Sequence, residues 1–485
     1  MSPETAEPDP RRWRALAVTL TAGFMSLLDV SIVNVALPSI QRGLGASTAG
    51  VQWVVSGYAL AFGLVLVSGG RLGDALGRRR MFLIALSAFV LTSALAGAAV
   101  NESMLVIARL LQGMAAGMLT PQNSGLIQEL FSGAERGRAF GAFGTTVSLS
   151  TAVGPVLGGV IIALFGAESG WRWVFFVNVP IGVLAFVLAL RLLPKAPKRS
   201  VPLRSQLDFV GVVLLGVTVL GVLFPLVRSE QDGWGVLWWM PPVAVVFAVG
   251  FVWWERRLVR RGGSPLLDVR LFTATPGYAT GATIGTVYFA GFAGIWLVFA
   301  LFFQQGLGYT PLESGLVVTP FALGAAVSAL LAGRLVARLG RVLTLTGLCL
   351  VAVGLGAVGV IAPLVSPHVT GFAVVFPLLV AGFGGGMVIS PNTTLTLERV
   401  PTRMAGVAGG ALQTGQRIGS AIGIALLASV FHVGIDSAGG YPTGLRWAML
   451  SAVAIVLVAL VLAVLDLRRR PHRTPQPKTR TVRVS

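Results

Sequence analysis

A chain of 485 residues that is 55% hydrophobic, only 11% charged and of mean hydropathy +0.82 has too much apolar surface for a water-soluble fold, so most of it belongs in lipid. The formal net charge of +19 would suit nucleic acid, but the basic residues sit between apolar runs, where they act as orientation markers. The one cysteine, Cys349, falls inside such a run, which excludes a disulfide framework and a cysteine-ligated metal site.

The opening MSPETAEPDPRRWR turns from acidic to basic and leads straight into an apolar stretch, with no cleavable-signal pattern. Apolar runs long enough to cross a bilayer follow at 14–38, 51–70, 81–100, 103–127, 138–165, 173–193, 208–228, 236–254, 276–304, 312–333, 342–363, 370–396, 404–432 and 444–466. On this count of fourteen spans, 31 of the 37 basic residues fall on one side, four on the other, and Arg109 and Arg417 inside spans. That asymmetry predicts both termini in the cytoplasm. The sparse lysines and the Ala and Gly load suggest a bacterial gene, hence a plasma-membrane location.

The chain also repeats itself. GRLGDALGR (70–78) returns as GRLVARLGR (333–341), RAFGAFG (138–144) is echoed by RMAGVAG (403–409), and Gly154 and Gly158 by Gly419 and Gly423. These offsets exceed the length of a six-helix half, so spans seven and eight read as an insertion between two parallel copies. The expected fold is an all-α polytopic membrane protein of two pseudo-symmetric six-helix bundles plus two inserted central helices. Its parts are a cytoplasmic N-terminus (1–13), a first bundle (14–193), a linker with the inserted helices (194–254), a cytoplasmic loop (255–275), a second bundle (276–466) and a basic tail (467–485).

Span one carries Asp29 near its middle, the one carboxylate of 18 well inside a predicted span, with Asn34 a turn beyond. Tyr58 in span two is a candidate lining residue. The link GRLGDALGRRR (70–80) has glycines for a tight turn, and Asp74 among arginines can pair locally or with a helix end. Gly70, Gly73, Asp74, Gly77 and Arg78 therefore read as a conformational latch, whereas the second copy, lacking the acid, reads as a positively charged surface anchor. Arg109 in span four costs about 2.5–3.5 kcal/mol at a helix centre, so it needs a partner or a wet cavity, and Gln112 and Gly113 share its face.

STAVGPVLGGVI (150–161) sets Gly154, Pro155 and Gly158 as a kinked, closely packing hinge. Span nine offers Tyr288, Phe292, Trp296, Phe299 and Phe303 on one face, as packing or as a substrate pocket. Asn392 in span twelve, and Gly406, Gly410, Gln413, Arg417 and Ser420 in span thirteen, are expected to line a cavity, the latter opposite span five.

Taken together, GRLGDALGRRR resembles the loop signature of the major facilitator superfamily. LLDVSIVNVALPSI (27–40), RLLQGMAAG (109–117), GPVLGG (154–159) and WRWVFFVNVPIG (171–182) are similar to signatures of its fourteen-helix drug:proton antiporters. The resemblance implies export of small amphipathic or cationic compounds, with Asp29 and Arg109 in proton coupling and the glycine–proline segment a mark of antiport. Burial opposes a charged carboxylate and a nearby arginine favours it, so a site that changes between two conformations can load and release a proton. A permanent Asp29–Arg109 bridge is the plainer alternative.

Other functions fit less well. The histidines, His368, His432 and His472, lie at span ends or in the tail, where no catalytic triad or metal cluster assembles. No lysine follows a glycine, which excludes a Walker-type phosphate loop, so the expected drive is the proton motive force with no cofactor. The expected partners are a small-molecule substrate, protons and the bilayer, with no nucleic acid and a monomeric chain. A carrier or flippase of the same fold for a lipid, sugar or dedicated metabolite is the alternative function.

Overall fold

The computed structural model describes residues 11–166, 168–194, 208–232, 237–437 and 439–469. The basic linker residues from Lys195 to Arg204 and the tail from Arg470 lie outside the described residues.

Every predicted span is helical. The first six helices are α1 (Arg12–Leu44), α2 (Thr48–Leu76), α3 (Arg78–Gly97), α4 (Glu102–Leu130), α5 (Gly133–Phe165) and α6 (Gly170–Leu192, broken at Val177). The inserted pair is α7 (Phe209–Asp232) and α8 (Met240–Arg260). The last six are α9 (Tyr278–Gly306), α10 (Pro311–Leu339), α11 (Arg341–Ile361), α12 (Pro367–Leu397), α13 (Ala405–Asp436) and α14 (Gly440–Arg469). Three helix starts carry side-chain caps: Ser47 accepts from Gly50 N, Asn101 from Met104 N, and Thr310 and Glu313 form a reciprocal capping box.

Eleven of these helices are long and apolar enough to cross a membrane, and twelve if α5, bent by 42° between Thr151 and Val156, is one span. The inserted pair does not meet that measure. The described apolar stretch of α7 is Phe209–Pro225, and Glu255, Arg256, Arg257 and Arg260 crowd the end of α8. Among the described residues the structure thus shows a polytopic helical protein of eleven to twelve clear spans, with the inserted pair standing outside that count.

The repeat seen in sequence is a repeat in packing. In the first half α2 packs on α4, α3 on α4 and α6, and α1 on α5 and α6. In the second, α10 packs on α12, α11 on α12 and α14, and α9 on α13 and α14, the same pairs eight helices on. The halves meet through α2 on α13 and α5 on α10, two contacts that exchange under the same pseudo-twofold relation. Inserted α7 packs on α8 and lies against both α2 and α13, flanking one seam. Beyond α8 the chain returns through a pinned loop. Buried Glu255 accepts from Leu266 N and Leu267 N, and Arg270 donates to Asp268, holding that carboxyl below its usual range.

Candidate functional site

Five helices of the first half converge on Asp29. Its carboxylate is wholly buried, and the Arg109 Nη1 donates to Oδ2 from α4. Gln112 Nε2 donates to Oδ1 at 3.0 Å, and Asn178 Nδ2 at the start of the second segment of α6 donates to the same oxygen at 2.9 Å. Arg109 also reaches Val54 O of α2 at 3.0 Å and Gln112 Oε1 at 2.8 Å. Its guanidinium lies 4.1 Å from the centre of the Tyr58 ring, and Tyr58 Oη donates to Ser26 O. Ser93 of α3 completes the ring, accepting from Asn178 and donating to Phe175 O. Gly113 makes the geometry possible: a Cβ there would come 3.0 Å from Tyr58 Cα, so only glycine lets α4 bring Arg109 against α2.

The arrangement is a carboxylate with its charge balanced by one guanidinium and both oxygens hydrogen-bonded. Removing one member of such a buried pair costs about 3–5 kcal/mol, so neither side chain is held at this depth without the other.

A second cluster sits at the basic end of the bundle. Asp74 Oδ1 accepts from Arg78 and from Gly406 N at 3.1 Å each, and Oδ2 from Val407 N at 3.0 Å. One carboxylate on α2 therefore seats on the first turn of α13 in the other half, where the helix dipole favours negative charge. Arg78 spans the same junction, reaching Gly125 O at 2.6 Å, Glu129 Oε2 at 3.0 Å and Thr402 O. Gly70 packs on Gly406, a Cβ there meeting Val407 N at 2.9 Å, and Gly73 packs on Gln122. Gly77 turns with φ +93°, a conformation that side chains resist. The sequence offered Asp74 a local partner or a helix end, and the structure gives it both.

A family model described as Major Facilitator Superfamily matches residues 19–424 and 281–484. The chain belongs to the Major Facilitator Superfamily. It is 38% identical over 430 residues to a probable actinorhodin transporter of Streptomyces coelicolor, covering 87% of this chain and 73% of that one. It is 35% identical to the puromycin resistance protein pur8 of Streptomyces alboniger, covering 87% and 82%. Its fold matches the solved proton:xylose symporter XylE with a TM-score of 0.64 at 15% identity, covering 96% of this chain and 97% of that one. Superfamily members are transporters, so the chain is a multi-pass membrane transporter rather than an enzyme, with one of these relatives named as a transporter and the other for puromycin resistance.

The remaining candidates of this superfamily member fall into three places. On α13, Gly406, Gly410, Gln413 and Arg417 form the expected stripe, but it faces α2 and α4 rather than α5. Gly410 packs on Leu66 and Val67, Gln413 reaches Ser124 Oγ at 3.5 Å, and Arg417 lies 4.5 Å from the centre of the Phe62 ring. The face of α5 that does cross to the second half is Gly137, Gly141 and Gly144, packed on Gly333, Ala329 and Ser390. Gly154 and Gly158 instead seat α5 on Ser31, Ile32 and Val35 of α1, directly beyond Asp29. The side chain of Pro155 lies outside the described residues.

In the second half, Tyr288 is buried and stacks on Phe292 at 5.4 Å, and half-buried Trp296 meets Phe292 and Phe321 edge-on. Phe299 and Phe303 belong to the core of that half. Asn392 is held away from the Asp29 cluster, accepting from Arg341 and donating to Gly281 O at 2.9 Å. Asn34 is exposed on α1.

Three features escaped the sequence reading. Asn178 touches Asp29, yet before a proline it reads as a helix start. Arg341 was expected as a surface anchor; it is buried and donates to Asp466 Oδ2 at 2.9 Å, whose other oxygen accepts from Thr280. Its neighbours Arg334 and Arg338 are exposed and do fit the anchor role. Tyr58 lacked a partner in sequence and gains one only when α2 and α4 meet.

Proposed function

We propose that the protein is a proton-driven antiporter that exports small amphipathic molecules by alternating access across the plasma membrane of a bacterium. It works as a monomer with both termini in the cytoplasm and crosses the membrane fourteen times. Residues 14–193 and 276–466 are the rocking halves, 194–254 carry the linker and inserted pair, and 255–275 form a cytoplasmic loop. The names of its relatives, an actinorhodin transporter and a puromycin resistance protein, support an antibiotic or drug as cargo.

The observation that carries the reading is Asp29, fully buried and charge-balanced by Arg109 in the centre of one half. Protonation of Asp29 from outside removes the charge that holds Arg109, Gln112 and Asn178 in place. The helices they link, α1, α4 and α6, then shift against one another. Asp74 and Arg78 close the cytoplasmic end in the described conformation, and that shift releases them. Each inward proton supplies about 2.3 kcal/mol per 100 mV, to which the pH gradient adds.

The test is proton movement in proteoliposomes containing an interior pH dye. Addition of a transported antibiotic is expected to drive proton flux against it, and Arg109→Ala is expected to abolish that flux in a folded, inserted protein. Drug movement at an unchanged rate without a proton gradient contradicts the reading. Lipid flipping that moves no proton transfers the assignment to a lipid carrier.

A further inference from the structure

Arg417 is a guanidinium that no acid meets among the described residues. It lies on α13, twelve residues past Ala405 and thus about 18 Å along the helix, well away from both of its ends. Among the described residues no carboxylate is paired with it, and its contact across the seam is the face of Phe62. Phe62 stacks on Tyr58, and Tyr58 lies under Arg109, so two guanidiniums flank a ladder of two rings. The nearby carboxylate is spent: Asp29 gives one oxygen to Arg109 and the other to Gln112 and Asn178. The centre of the protein therefore holds one negative and two positive charges.

Burying an uncompensated cation in a low-dielectric interior is expensive, and a cation–π contact offsets only part of that cost. Gln413 and Ser420 share the face of Arg417, one turn before and one after, and Arg417 itself is only half-buried. Phe62 occupies one side of the guanidinium, its ring centre 4.5 Å from the central carbon, and the N–H donors turned away from it suit a planar anion. Inserted α7 shields this seam, with Phe224 against Trp53 and Leu223 and Val219 against Leu60.

The geometry points to Arg417 as the anchor for an anionic group, a carboxylate or ionised phenol, on an aromatic substrate. This rests on the exporter reading and fixes the charge of its cargo, which the sequence left between amphipathic and cationic. A cation at this seam would add a third positive charge to two. One proton inward against one anion outward moves two elementary charges, so export is driven by the membrane potential as well as by pH.

A matched set separates the possibilities: anthraquinone-2-carboxylate, its methyl ester, and a trimethylammonium-methyl anthraquinone. Binding is measured on the full chain in nanodiscs, and proton flux in proteoliposomes. The carboxylate is expected to bind at least about tenfold more tightly than the ester or the cation. Arg417→Gln is expected to erase that carboxylate-to-ester ratio, and Arg417→Lys to keep part of it, with each variant confirmed as monodisperse. Equal affinities in the wild type, no carboxylate binding, or an unchanged ratio in Arg417→Gln overturns the assignment. Tight carboxylate binding with no proton flux from any of the three sustains the anion site and defeats the exporter reading instead.

Discussion

At the scale of single residues, Asp29 and Arg109 were legible because one charge in an apolar run has no bland explanation in lipid. Asn178 was not, since an asparagine two residues before a proline already has a local reason to exist. Its position makes a sharp prediction. Asn178→Ala removes the 2.9 Å donor to Asp29 Oδ1 and leaves Arg109 and Gln112 in place. Losing that bond unties the second segment of α6 from α1, so drug-dependent flux at a fixed pH gradient is expected to fall about tenfold in a folded, inserted protein. An unchanged rate would mean that Asn178 only packs.

At the scale of helices, periodicity and apolar length located every long helix, and glycine pairs fixed how the helices approach. The direction those faces take was less readable. The stripe on α13 was placed opposite α5, but Gly406, Gly410 and Gln413 meet α2 and α4, because the repeat pairs α2 with α13 and α5 with α10. Arg341 and Asp466 were hidden for a related reason: each stands at a predicted span end, where charge is ordinary, and only folding buries them together. The close approach at the latch carries the next prediction. A Cβ on Gly406 would come 2.7 Å from Gly70 O and 2.9 Å from Asp74 Oδ1, so Gly406→Val should hold these helices apart. Ser124, buried against Gly409, reports the gap. With Cys349 replaced by serine, a cysteine at Ser124 is expected to react with an impermeant maleimide in everted vesicles only when Gly406→Val is present. Equal protection in both backgrounds would show that the latch tolerates the added bulk.

At the scale of the molecule, two copies of one packing scheme hold very different charges. The first half keeps Asp29 and Arg109 balanced at its centre, and the second contributes Arg417 at the seam without an acid of its own. The sequence showed the duplication and the insertion, because both are written in motif spacing. It could not show which charges meet, because that depends on contacts between residues 80 or more positions apart, as in the Asp29–Arg109 pair. The inserted pair is the least like a pair of ordinary spans, and its place against α2 and α13 puts it beside the same seam. The whole account turns on Asp29 changing its charge as the halves rock. The most direct measurement is transport by Asp29→Asn in proteoliposomes, comparing gradient-driven uptake with exchange of substrate at equal pH. The account predicts that uphill uptake is lost and that substrate exchange persists; uphill pumping at the wild-type rate would contradict it.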